Sequence, residues 1–171
     1  MRLITSLIGV LFLLVGCFGE PSPPPLDLGE GSSSFTGLDV EAGTKVAFGL
    51  NTAKNMSAET VVLNDVTLTA SEDQTAQVID TWAVDFTGGD LFTVGAWPTD
   101  RPLGVLQEVD GFQLRPGGTA QIIFVINVED EGKWKWEGMT LTYSYQGQNY
   151  VGSSAHGLVL CAPVTSADCS P

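Results

Sequence analysis

Histidine, methionine, cysteine and basic residues are all scarce in this chain of 171 residues. His156 is the single histidine, too few for a typical zinc or copper site. Beyond the N-terminal leader the methionines are Met56 and Met139 alone. Ser153-Ser154-Ala155-His156 places hydroxyls next to an imidazole in sequence. A nucleophile and its base are defined by spatial geometry, and adjacent residues of a strand or loop rarely point at each other. The Gly-x-Ser-x-Gly elbow of many hydrolases is absent. No catalytic residue, metal ligand or cofactor is therefore expected. Seven Lys and Arg stand against twenty Asp and Glu. That balance disfavours nucleic acid and anionic lipid surfaces as partners, and suits a soluble exported domain. No long stretch has a 3.6-residue apolar period, and no repeat of fixed length is present.

What is present begins at the N-terminus. Met1-Arg2 precedes an apolar run of 13 residues, Leu3 to Val15, and then Gly16-Cys17. The run has the length of a secretory h-region and falls short of the roughly 20 residues that a spanning helix needs. No Ala-x-Ala-like cleavage site follows it. Leu14-Val15-Gly16-Cys17 resembles the lipobox of bacterial lipoproteins, with Val15 where a smaller residue is more usual. The resemblance implies that Cys17 takes a diacylglyceryl group, that residues 1–16 are removed, and that the protein is held outside the cytoplasm on a bacterial membrane. Two or three acyl chains on Cys17 satisfy the physical requirement that stable anchoring takes more than one chain. Loss of Arg2 would take the formal charge from −13 to −14.

With Cys17 lipidated, Cys161 and Cys169 remain as an even pair in an oxidising compartment, which reads as a disulfide. The loop is short, so its entropic stabilisation falls below the ~3 kcal/mol expected of a 15-residue loop. Its expected role is to pin a tail at 164–171. Residues 17–34 hold four prolines, then glycines and serines, and read as a disordered tether. Fifteen such residues would reach roughly 50 Å.

From residue 35 the pattern is β. Val46, Phe48 and Leu50 alternate with Lys45, Ala47 and Asn51, and Met139, Leu141, Tyr143 and Tyr145 with polar residues. Val78, Trp82, Val84 and Phe86 form a third stripe, broken by Asp80, which places Trp82 in the core. Each stripe buries one face. Ile122 to Val128 is apolar on both faces apart from Asn127, which predicts a central strand. In Val61 to Thr69 the apolar face switches near Asn64-Asp65, which predicts a bulge or bend. Turn signals fall at Thr87-Gly88-Gly89-Asp90, Arg115 to Gly118, Glu129 to Gly132 and Gln146-Gly147-Gln148. Residues 99–109 could hold one helical turn. The expectation is an all-β fold: a single antiparallel sandwich of about seven to eight strands over residues 35–163.

The segment from Asn51 through Asn55-Met56-Ser57 to Val61-Leu68 resembles the opening hairpin of immunoglobulin-like domains in bacterial envelope lipoproteins. Leu114-Arg115-Pro116-Gly117, Ile122 to Val128 and Tyr143 are similar to their later strands. The resemblance implies a fold and no catalytic residues. Three further features have a functional and a bland interpretation. Glu129-Asp130-Glu131 could offer oxygens to Ca²⁺, but supplies too few alone and reads as a solvated hairpin turn. Asn55-Met56-Ser57 matches a glycosylation acceptor, largely irrelevant in a bacterial exported protein. Trp134 and Trp136 lie on one side of a strand; exposed, they would stack on a glycan, and buried, they are core. The functional expectation is a non-catalytic binding or structural domain with an envelope protein or glycan partner and no nucleic acid. A carbohydrate-binding module carried by Trp134 and Trp136 is the alternative.

Overall fold

A computed structural model of the chain describes residues 23–29, 33–70, 75–86 and 91–163. The leader, Cys17, the Thr87–Asp90 turn, Cys169 and the tail at 164–171 lie outside the described residues. Among the described residues there are twelve strands: β1 (Leu26–Asp27), β2 (Ser34–Asp39), β3 (Thr44–Asn55), β4 (Val61–Ala70), β5 (Gln77–Asp85), β6 (Val94–Ala96), β7 (Gln107–Glu108), β8 (Gln113–Leu114), β9 (Thr119–Val128), β10 (Gly132–Tyr145), β11 (Gln148–Ser154) and β12 (His156–Ala162). Eight of them have six residues or more, in keeping with the expected count. The other four are clips of two or three residues on strand edges. No helical turn forms at 99–109.

One sheet runs β1-β3-β9-β5-β7 with β6 on β3, and the other runs β2-β12-β10-β4-β8 with β11 on β10. The order β3-β9-β5 facing β12-β10-β4 is that of an immunoglobulin-like sandwich, whose strands B, E and D face G, F and C. The opening segment serves both sheets. β1 pairs antiparallel with β3, and β2 pairs parallel with β12. The sandwich is therefore not wholly antiparallel, because a segment that crosses from one sheet to the other meets β12 running its own way. The segment that resembled an opening hairpin is also an arch: β3 and β4 belong to different sheets. So do β9 and β10, joined by the Glu129–Glu131 turn.

β9 is central, flanked by β3 and β5, as its two apolar faces predict. Ile122, Phe124 and Ile126 enter the core between the sheets, where Phe48, Leu63, Leu141, Leu158 and Trp136 meet them. Ile123 faces the other way. It joins Ala47, Val84 and Phe92 in a second, smaller cluster, covered by Trp82, Trp97, Leu103 and Leu106. Trp82 therefore covers the outer face of its sheet, not the interior of the sandwich. Two bulges account for the broken stripes: Asn64 is the extra residue between Leu63 and Asp65, and Ile79 the extra one between Val78 and Asp80. A third irregularity, between Phe48 and Asn51, ends the Val46–Phe48 stripe and turns Asn51 inward.

The described residues of the expected tether, 23–29 and 33–34, are part of the fold. Leu26 and Leu28 are buried, Met56 N donates to Pro25 O at 2.8 Å, and β2 begins at Ser34. Leu28 lies so close over Gly152 of β11 that a Cβ there would be 2.7 Å from Leu28 Cδ1. Residues 23–29 act as a strap across the edge where β3 and β11 face each other. The domain thus starts near Pro23, not at residue 35, because the Leu26/Leu28 pair finds an apolar seat that proline-rich composition does not advertise.

Candidate functional site

The two ends of the sandwich differ in chemistry. The chain comes in at the proximal end, which also holds the end of β3, the β10–β11 hairpin and the Arg115–Gly118 turn. The hairpin turns through Gln146 (φ 50°) and Gly147 (φ 74°), two consecutive positive values, as a type I′ turn requires. At the distal end lie the start of β3, the β9–β10 arch and the end of β12.

Trp134 and Trp136 are 4% and 3% exposed. Trp134 Nε1 donates to Thr75 Oγ1 at 3.0 Å, so its polar handle is satisfied internally. Both rings belong to the main core. That corrects the possible ligand surface and removes the basis of the carbohydrate-binding alternative, since a buried indole cannot stack on a sugar.

Ser153, Ser154 and His156 do not converge. Ser154 Oγ donates to Asn51 Oδ1 across the interior, between β11 and β3. His156 Nδ1 meets Ser34 Oγ at 2.6 Å, on the β2–β12 pair. Asn51 Nδ2 is buried and has no hydrogen-bond partner among the described residues. Glu129, Asp130 and Glu131 are exposed, and Glu129 Oε1 accepts from Asn127 Nδ2 at 2.8 Å. Among the described residues no three His, Cys, Asp or Glu side chains lie close enough to share a metal ion. Cys161 is buried on β12, while its expected partner Cys169 lies outside the described residues.

Asn55 is fully buried and cannot accept a glycan. Its Nδ2 donates to the carbonyls of Glu59 (2.8 Å) and Leu114 (2.9 Å). Its Oδ1 accepts from Ser57 N (2.9 Å) and Ser57 Oγ (2.7 Å). The sequence showed only an acceptor motif here; the structure shows the knot that holds the β3–β4 arch.

An open groove of about 880 Å³ lies at the proximal end. Pro24, Leu26, Met56, Tyr145, Gln146 and Tyr150 contribute to its lining. Met56 is 60% exposed. Tyr150 stacks on Tyr143 with ring centroids 5.4 Å apart and tilts against Tyr145 at 6.5 Å. The groove offers aromatic and thioether surface with a rim of backbone and hydroxyl groups. It can bind apolar or amphipathic surface, and no nucleophile–base pair is built into it. Reading the sequence missed it because the strap that forms one wall looked like a tether.

No known protein family matches the chain, and no curated protein is similar to it. Among solved structures it is similar to an ASH/PapD-like domain of human CEP192, PapD-like domain 7. The identity is 11% and the TM-score 0.46, over 89% of this chain and 94% of that one. It is also similar to the VesB protease of Vibrio cholerae, at 14% identity and a TM-score of 0.42, over 81% of this chain and 32% of the protease. The secreted serine protease VesC of the same organism gives 11% identity and a TM-score of 0.35, over 72% of this chain and 21% of that one. The chain spans about a third and a fifth of those two proteins. Strand order carries the fold assignment, and these likenesses carry no function.

Proposed function

We propose that this chain is an extracytoplasmic lipoprotein that presents a non-catalytic immunoglobulin-like domain from a bacterial membrane, for a protein or glycan partner of the cell envelope or for a structural role. The observation that carries the proposal is Leu14-Val15-Gly16-Cys17 at the end of an apolar run too short to span a bilayer. What supports it in the fold is that a β-sandwich begins soon after Cys17 and carries an open apolar groove at that end. Replacement Cys17→Ser tests it: the mutant should leave the membrane pellet after a high-salt wash and lose incorporation of labelled palmitate. A mutant that stays in the pellet refutes the lipid anchor.

In the same compartment Cys161 and Cys169 are joined. Cys161 sits at the distal end of β12, where a bond to the tail would pin it without bracing the core. Peptide mapping without reduction should recover the two cysteines in one linked species, and two free thiols would refute the pairing.

A further inference from the structure

We infer that the proximal end of the sandwich faces the membrane that carries the anchor and rests on its lipid headgroup layer. The inference builds on the lipid anchor proposed above. Six residues, Cys17 to Ser22, separate that anchor from Pro23, and fully extended they reach only roughly 20 Å. The docked strap decides where this leash ends. Pro25 and Leu26 are buried, and Leu26 sits opposite Asn55 at the last residue of β3. A domain held this closely cannot turn end over end. β10 alone, 14 residues long, spans about 45 Å at ~3.3 Å per residue, more than twice the leash.

The chemistry of the two ends agrees with that orientation. The proximal end presents exposed Met56 beside Tyr145 and Tyr150, and tyrosine is favoured at the headgroup level, where its ring is apolar and its hydroxyl wet. Lys54 and Arg115 share this end with Asp27, Glu59 and Asp85, so its charges nearly balance. At the far end Lys45 and Lys133 stand against the exposed acids Asp39, Glu41, Glu129, Asp130 and Glu131, so that end is the more acidic of the two. An acidic domain therefore approaches a membrane by its least acidic end.

The test uses the lipidated full-length protein in phosphatidylcholine vesicles containing nitroxide-labelled headgroups. A fluorophore is attached through a non-canonical residue at position 148, on the proximal hairpin, or at position 130, on the distal arch. Quenching several-fold stronger at 148 than at 130 is the expected result. Vesicle-bound protein quenched equally at both positions, or more at 130, overturns the orientation while leaving the anchor intact. Protein that does not sediment with the vesicles overturns the anchor, and the orientation with it.

Discussion

The strap gives the sharpest test of the fold. Leu28→Ala removes a side chain that is 3% exposed and sits against Gly152. Leucine-to-alanine changes in a core cost about 2–5 kcal/mol. Leu28 belongs to a terminal segment that can peel away and relieve part of the cavity, so the low end, about 2 kcal/mol, is expected. For a domain of this size that lowers the melting temperature by about 4–8 °C. Gly152→Ala perturbs the same contact from the other side, because its methyl would lie 2.7 Å from Leu28 Cδ1. The leucine must shift, at a cost of about 1–2 kcal/mol for overpacking. In the double mutant the alanine at 152 occupies space that the shortened residue 28 has vacated. The two effects should therefore be less than additive, by about 1 kcal/mol. Urea unfolding of the chain from Pro23 to Pro171 measures all four corners of the cycle. Exchange of the Met56 amide, which donates to Pro25 O, reports the strap locally and should accelerate in Leu28→Ala. Strict additivity, or a Leu28→Ala protein within 0.5 kcal/mol of the parent by the yardstick for surface changes, would refute the docked strap.

Phe124 is fully buried on the central strand, so Phe124→Asp should cost more than about 4 kcal/mol through an unpaired buried charge. Asp130→Asn on the distal arch should cost under about 0.5 kcal/mol, and denaturant titration distinguishes the two at once. Asn55→Ala strips the β3–β4 arch of the four hydrogen bonds made by one side chain and should cost about 2–4 kcal/mol. A drop below 1 kcal/mol in thermal or chemical unfolding would show that water replaces those bonds freely, against the usual ~1–3 kcal/mol penalty for a stranded buried group.

The parts of this fold legible in the sequence are those where apolar patterning is long. Ile122 to Val128 announced a central strand because two apolar clusters flank it, one on each face. The switch near Asn64 announced a bulge because the pattern itself skips a residue there. The stripe of Trp82 and Val84 was legible as a buried face, but a period of two does not say which side of a sheet is covered. Here the cover comes from Phe92, Trp97, Leu103 and Leu106, a stretch with little periodicity of its own. The strap was hidden for a related reason. Leu26-Asp27-Leu28 is an alternating triplet, too short to stand out after three prolines. The parallel β2–β12 pair leaves no local mark at all, since it joins residues more than 100 positions apart.

The buried polar residues broke the patterns for a physical cause. Gln121 sits in an apolar strand, and its Nε2 donates to the carbonyls of Gly49 and Phe92, both at 2.6 Å. Gly49 lies in the irregularity between Phe48 and Asn51, where the β3–β9 ladder skips, and Phe92 lies just outside β6. Its side chain thus reaches a carbonyl at the break and ties it to the segment that caps the outer cluster. Asn55 does the same for the arch between the sheets. Ser154 and Asn51 join β11 to β3 next to the edge that the strap crosses. Each of these residues stands beside a place where backbone leaves a regular ladder, and unpaired buried carbonyls would otherwise cost about 1–3 kcal/mol apiece. Their side chains are therefore part of the topology, and hydrophobic replacements of similar size would restore the pattern while stranding the joints.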